Sequence, residues 1–447
     1  MNKRKILIIG EVFVDQHLDI KENGVSISRL GGIFHAIRAC DALDVEFAFA
    51  YYAPNYLEKD IMKYGIEVLG ASKAYCLGFI DKSPNVMLIG QSDESGNQLY
   101  DNILCDQAEF IYQASLQQVL DDFLPADVMI FPGRYGNDKI LSELVTFEGK
   151  IHIDMNYDCN DILEFVNGNI ETVFLSTSSI SFREYFMESS YERLVNYFRL
   201  KNVHKVLIKE NRGGSWLYDF QENQSYEAPA FVGVSIHSVG VGDVYDIAYI
   251  CELCTSNIIH NMVFASWMAS AYAQTLQHKL FKENVNILSQ NIDEIVEMEG
   301  IRVPWNERKN YPIYMAAPDF DYIDTKQVDV IADALLYHNF MPRLPIRENG
   351  QANVNMDSHE ELDIFYKDIT LLKECKLMIA ILLYNDQGTL VEIGNYQANG
   401  KPVILYDPYK KLDNMFLKHS CSYYCITVGD VINTVFEVVS GMVNNGE

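Results

Sequence analysis

LMIAILLYNDQGTLVEIGNYQANGKPVILY, Leu377 to Tyr406, contains one complete turn of an α/β fold. Leu377 to Leu383 is an unbroken apolar run, the pattern of a strand covered on both faces. Gly388 supplies the turn, Thr389 to Gln397 has helical character, and GKPV leads into a second apolar run, Val403 to Tyr406. Strand, helix and strand in so short a stretch imply a parallel pair with a helical crossover. Glu392 interrupts this apolar context, between Val391 and Ile393 and near the first helical turn. A carboxylate there is costly unless paired or hydrogen-bonded. It either interacts with the helix dipole or faces a ligand beyond the carboxyl edge of the sheet.

The alternation continues outward. IYMAAP reads as a strand, TKQVDVIADALLYHN and YKDITLLKECK as helices. EGIRVPWNERKNYP, with two prolines and no period, reads as a linker over 299–312. Ahead of it, KILIIGEV, VEFAFAYYA, DVMIFPG, KIHIDMN, TVFLST and HKVLIKE read as strands. Between them GGIFHAIRACDAL, ERLVNYFRLKN and NMVFASWMASAYAQTL have helical patterns. The expectation is α/β throughout: a first domain over 1–298 and a compact parallel-sheet domain over 313–447. GQSDESGNQLYDN is polar enough to belong to a small appended sheet or lid.

Composition narrows the function. The 447 residues carry a formal net charge of −27, which disfavours duplex DNA or RNA as a partner. A site for a phosphorylated ligand must then be built locally, from backbone amides or a helix N-terminus. The longest apolar runs fall far short of the ~20 residues of a membrane span. The N-terminus MNKRKILIIGEV lacks a signal-peptide pattern, so a soluble cytoplasmic protein without a membrane partner is expected. Cys251 and Cys254 form the one CxxC pair, in a helical context that favours reduced core thiols over zinc. No metal ligands are assigned.

In the second domain Asp386 lies six residues before Glu392, Asp368 on the preceding helix, and Tyr314 and Asp319 at the end of the first strand. Carboxyl groups and a phenol at one sheet edge suit glycosyl transfer. One carboxylate attacks the anomeric carbon while another handles protons at the leaving group. In the first domain HSVGVGDVYDIAYI places Gly240, Val241 and Gly242 at a tight turn before a helix. Such a turn presents backbone N–H groups to phosphate, and Asp243 stands where a general base would take a proton from a hydroxyl. A helix cap in a glycine-rich turn explains the same residues.

IYMAAPDF, DITLLKECKLMIAILLYNDQGTLVEIGNYQANGKPVILY together resemble the nucleoside 2-deoxyribosyltransferase family over residues 311–408. The resemblance implies a flavodoxin- or Rossmann-like parallel-sheet fold that needs no cofactor. It also implies Glu392 as nucleophile, Asp386 orienting the sugar, Asp368 handling protons at the base and Tyr314 placing the nucleophile. Asp319 is a substrate-binding candidate by its place at the same sheet edge, not by the resemblance; shared sites in the family imply a homo-oligomer. Lys376 stands where the family often has Asp, and GNYQANG replaces its usual GYAxxxG.

ILIIGEVFVDQHLDI, RLGGIFHAIRACDAL, IHIDMNYD and the GxGD turn occur in the order of the ribokinase-like (PfkB) sugar and nucleoside kinases, over residues 4–275. This resemblance implies an αβα fold, ATP and Mg2+ as cofactors, and Asp15, Gly31 and Gly32 on the sugar hydroxyls. Gly240 and Gly242 would form the anion hole, with Asp243 as base. The departures are His237-Ser238 for Asp-Thr, His35 for Asn, and serines in FLSTSSISFRE where the magnesium-linked Asn-x-x-Glu belongs. KENRGGSW keeps only Gly213 and Gly214 of the nucleotide loop. The whole reads as a bifunctional enzyme of nucleoside or sugar metabolism. The alternative is a degenerate kinase domain that senses a nucleoside or nucleotide and gates a nucleotide or NAD glycosidase.

Overall fold

The computed structural model describes residues 4–18, 26–90, 94, 100–156, 170–187, 191–233, 235–251, 257–351 and 356–446. The chain divides into two compact units, Met1–Gln91 with Gln98–Gly300, and Ile301–Glu447 with Ser92–Asn97.

The first unit is built on a sheet that has ten strands among the described residues. Their order is Gln224–Ala228, Ser215–Asp219, Val203–Lys209, Ile170–Ser176, Lys150–Asp154, Asp127–Ile130, Lys5–Glu11, Glu46–Ala53, Lys73–Asp81 and Glu109–Tyr112. Central pairs are parallel and both edges end in antiparallel pairs. The central strands are apolar along their whole length because helices cover both faces: Ile6 to Ile9 are fully buried, as are Ala48 to Ala50. A four-stranded sheet lies apart from this layer, in the order Ile27–Leu30, Val14–His17, Val86–Ile89 and Tyr100–Asn102. Tyr100–Asn102 is the end of the GQSDESGNQLYDN stretch expected in an appended sheet. Residues 91–93 and 95–99 of that stretch lie outside the described residues, as does Cys254 of the CxxC pair.

The second unit holds, among the described residues, five parallel strands in the order Met341–Arg343, Pro312–Ala316, Leu377–Ile381, Val403–Tyr406 and Tyr423–Cys425. Numbered along the chain this is 2-1-3-4-5, the flavodoxin-like order, which reverses direction between Pro312–Ala316 and Leu377–Ile381. Strand residues alternate between two cores. Ile313, Met315, Leu377, Ile379 and Ile404 meet Val328, Ile331, Val435 and Phe436 on one face. Tyr314, Ala316, Met378, Ala380 and Leu405 meet Leu371, Leu372, Ile393 and Tyr396 on the other. The two-residue period of a strand thus turns Tyr314 toward the helix Gln387–Ala398 that carries Glu392.

The stretch 299–312, expected as a linker, departs from that reading. From Ile301 it belongs to the second unit, carries a 3-10 turn at Trp305–Asn310 and fully buries Val303, Trp305 and Arg308. The physical reason is Arg308. Its guanidinium donates to the Val303 and His338 carbonyls and sits 4.8 Å from the Phe436 ring centroid, so a charged residue is satisfied inside the core.

Candidate active site

Glu392 is reached from two elements of the second unit. Asp386 caps the helix Gln387–Ala398: its Oδ2 accepts from the Thr389 backbone N–H at 2.7 Å and from the Thr389 hydroxyl at 2.9 Å. The helix therefore starts two residues earlier than the sequence pattern suggests, and Glu392 falls on its second turn. The dipole effect fades beyond the first turn, so dipole stabilisation does not account for this carboxylate.

A specific partner does. The Tyr314 hydroxyl, on a fully buried side chain, donates to Glu392 Oε1 at 2.6 Å. Burial pushes the Glu392 pKa up to about 7; the Tyr314 hydrogen bond opposes the rise, while the charges of Asp368 and Asp386 add to it. Burial, then the Glu392 charge, pushes the Tyr314 phenol far above its ordinary range, so it stays a donor. Asp368, on helix Ser358–Glu374, is also raised by burial, against the pull of Asn349, whose Nδ2 donates to Asp368 Oδ1 at 2.8 Å. Two carboxyl groups that burial raises to different extents, Glu392 to about 7 and Asp368 in the same direction, can divide the roles of nucleophile and proton donor.

Tyr314, Glu392, Asp368 and Asp386 therefore share one electrostatic neighbourhood at the switch point of the sheet. Asp319 is engaged elsewhere: its carboxylate takes both Nε (2.5 Å) and Nη2 (2.8 Å) of Arg347, and the same Nη2 reaches Asp329 Oδ1 at 2.7 Å. Arg347, Asn349 and Thr389 were not singled out in the sequence. Only Thr389 left a local signal, as the third residue after a capping Asp.

In the first unit Gly240 has φ +74°, conformational freedom that glycine provides, and opens helix Val241–Ile250. Asp243 is buried on its first turn. Burial, reinforced by Asp154 and offset by Lys209, lifts its pKa to about 7, a value suited to a general base. Lys209, which the sequence reading passed over inside KENRGGSW, donates to Asp246 Oδ1 and Oδ2 at 2.7 and 2.9 Å and approaches Asp154 Oδ2 at 3.4 Å. Burial disfavours its charge, but these two carboxylates outweigh burial and keep the ammonium protonated. Gly213 and Gly214 shape the turn between strands Val203–Lys209 and Ser215–Asp219, with Gly214 at φ +101°.

Asp15 is buried against Gly31, where a Cβ would lie 1.9 Å from Asp15 Oδ1, and Gly32 adopts φ +58°. Asp15 Oδ2 is 3.1 Å from His35 Nε2 and 3.8 Å from Arg29 Nε. Burial works to raise the Asp15 pKa, but His35 and Arg29 outweigh it, so the carboxylate stays ionised. The His35 ring also packs against Gly240, since a Cβ there would lie 2.0 Å from the ring.

ATP fits this site in part. The glycine turn and helix N-terminus provide a cradle for phosphate. The donor set for magnesium does not fit: Asp154 and Asp246 face Lys209, Ser176 and Ser178 bond each other, and Glu184 is exposed. Among the described residues no group of three or more His, Cys, Asp or Glu is arranged to hold a metal ion.

Residues 313–425 match the family model of nucleoside 2-deoxyribosyltransferase. Solved structures similar to the first unit include a ribokinase-type protein from Agrobacterium tumefaciens, 11% identical, TM-score 0.51, covering 66% of this chain and 100% of that one. Arabidopsis thaliana ribokinase complexed with ribose and ATP is 12% identical, TM-score 0.47, covering 67% of this chain and 100% of its own. Giardia lamblia ribokinase is 15% identical, TM-score 0.49, covering 64% and 99%. At these identities the likeness is one of fold: the first unit is ribokinase-like, and the second has the deoxyribosyltransferase-like parallel sheet. A search of curated proteins gives no match. No described helix is long and apolar enough to cross a membrane.

Proposed function

We propose that the second unit breaks or transfers the N-glycosidic bond of a nucleoside-type substrate, with Glu392 as nucleophile. The observation that carries this reading is the Tyr314–Glu392 hydrogen bond at the strand-order switch. Tyr314 fixes the carboxylate and favours its ionised form. Attack on the anomeric carbon forms a glycosyl ester and breaks the C–N bond; the base leaves with a proton from Asp368, which is raised toward the protonated state. Water or a second base then attacks the anomeric carbon and gives its proton back to Asp368, the ester bond breaks, and Glu392 is released as carboxylate. The family match over 313–425 supports the same chemistry.

The test is chromatographic. Wild type and Glu392→Ala are incubated with ribo- and deoxyribonucleosides, nucleotides and NAD, with and without an acceptor base. Base release by the wild type alone supports the reading; equal release by both removes Glu392 from the mechanism.

For the first unit the geometry favours ligand binding over phosphoryl transfer. Asp243 and the glycine turn resemble those of the sugar and nucleoside kinases, but Asp15 is held by His35 and Arg29, and Asp154 and Asp246 by Lys209. The bifunctional alternative predicts ADP formation from ATP and Mg2+ with a pentose or nucleoside. ADP formation that is lost in Asp243→Asn would restore it.

A further inference from the structure

Beneath the small sheet of the first unit, four side chains from separate segments leave polar atoms buried and unmatched. His17 comes from strand Val14–His17, Arg29 from strand Ile27–Leu30, Arg38 from helix Phe34–Ala42 and His237 from the loop before Gly240. Each is more than nine-tenths buried, with the Arg29 side chain 9% exposed. They are neighbours in space. The Arg29 guanidinium is 5.5 Å from the Tyr272 ring centroid, the His237 ring 5.2 Å from the same centroid, and the His17 and His237 rings are 5.9 Å apart. Arg38 donates through Nη2 to the Leu30 carbonyl, next to Arg29.

Arg29 Nε and Nη2, Arg38 Nη1, His17 Nε2 and His237 Nδ1 have no hydrogen-bond partner. Buried polar groups are almost always paired, and unpaired guanidinium N–H groups are especially costly. The charge is unbalanced too. Two guanidiniums face one carboxylate, Asp15, which His35 already engages. Burial lowers His17 and His35 to about 4 and His237 to about 3, with Arg29 further lowering His17 and His237. The imidazoles are therefore neutral near pH 7, and the cluster of side chains is locally cationic in a chain of net charge −27.

We infer that this cluster binds the phosphate of a small phosphorylated metabolite, a phosphate monoester of a pentose or nucleoside. Three guanidinium nitrogens without a hydrogen bond, Arg29 Nη2, Arg38 Nη1 and the Arg29 Nε that stands 3.8 Å from Asp15, carry more donors than the two oxygens of a carboxylate would use and suit the three terminal oxygens of a phosphate. His237 Nε2 faces the Thr275 carbonyl at 3.1 Å and so carries the ring proton. Its Nδ1 is then an acceptor for a ligand hydroxyl, as a sugar supplies. His35, bound to Asp15, ties the cluster to the glycine turn at Gly240, so phosphate and sugar recognition adjoin. The inference rests on the first unit's own residues and is independent of the glycosidic reading of Glu392.

The test is calorimetric titration of the full chain with ribose 5-phosphate, ribose and inorganic phosphate, in wild type, Glu392→Ala, Arg29→Gln and Arg29→Lys. The expected result is that ribose 5-phosphate binds at least about tenfold more tightly than ribose, and more weakly as salt rises. Arg29→Gln loses about tenfold or more of that affinity, Arg29→Lys recovers part of it, and Glu392→Ala leaves it unchanged. Circular dichroism melts establish that the Arg29 variants fold; Arg29 is chosen over the more deeply buried Arg38 for that reason. Equal affinity for ribose and ribose 5-phosphate, no binding of either phosphate-bearing probe, or full affinity in a folded Arg29→Gln would overturn the inference.

Discussion

Tyr314→Phe removes one oxygen and leaves the ring that packs beneath the sheet. The lost bond is a short hydroxyl-to-carboxylate contact of 2.6 Å, of a class contributing about 1.5–3 kcal/mol when one partner is charged. Because it stabilises the ionised form of Glu392, its loss raises the carboxyl pKa by about 1–2 units, at 1.36 kcal/mol per unit. Starting from about 7, the variant titrates at about 8–9. At pH 7 the ionised fraction then falls from about one half to between about 10% and 1%. Base release at pH 7 should drop about 5- to 50-fold relative to wild type through ionisation of Glu392 alone, and that ratio should narrow as pH rises toward 9. The assay is kcat/KM for base release from pH 5 to 10, which reports the free enzyme. A wild-type acid limb near pH 7 that moves upward in Tyr314→Phe supports the geometry. An unmoved limb, or a loss that is equal at every pH, would refute the claim that Tyr314 acts through the charge of Glu392.

Three further outcomes follow from the same contacts. Asp386→Ala removes the N-cap of helix Gln387–Ala398, costing about 1 kcal/mol in denaturant melts; it also removes a negative neighbour of Glu392, so whatever activity remains should show an acid limb at lower pH than wild type. Lys209→Met leaves Asp154 and Asp246 buried without their cation and should destabilise the first unit by about 3–5 kcal/mol, whereas Lys209→Arg should cost less in the same melts. Asp243 holds a proton up to about pH 7 in the folded chain against 3.8 ordinarily, so its contribution to stability is full below pH 4 and is lost as pH rises through 7, a penalty of up to about 4 kcal/mol. Asp243→Asn lacks that fall and should be more stable than wild type at pH 8 but not at pH 4; parallel pH profiles would contradict the burial of an uncompensated Asp243.

The α/β alternation was legible because parallel strands covered on both faces must be continuously apolar, as in KILIIGE and LMIAI. The GxGD turn was legible because Gly240 takes a positive φ that glycine provides. Glu392 stood out because a charged residue had been placed in an apolar crossover. What escaped the sequence depends on contacts across the fold. The helix start moved to Gln387 because the Asp386 side chain caps it, a choice that hydrophobic period does not reveal. Arg308 turned a stretch resembling a linker into core by finding two carbonyls and three aromatic rings in tertiary space. The pairing of Asp319 with Arg347, 28 residues later, is a contact that no local pattern gives. Lys209 lies 55 residues from Asp154 and 37 from Asp246, and His237 lies far along the chain from Arg29 and Arg38, so each gains meaning only in the folded chain.

The central claim is that Glu392 is the nucleophile of a covalent glycosyl transfer. The most direct measurement is intact-protein and peptide mass spectrometry after incubation with a 2-deoxy-2-fluoro nucleoside, whose electron-withdrawing fluorine slows breakdown of a glycosyl ester. The expected result is free base in solution and one fluorosugar mass on the peptide carrying Glu392, absent from Glu392→Ala. Base release from true substrates with no adduct, or an adduct on Asp368 or Asp386 in its place, would contradict it.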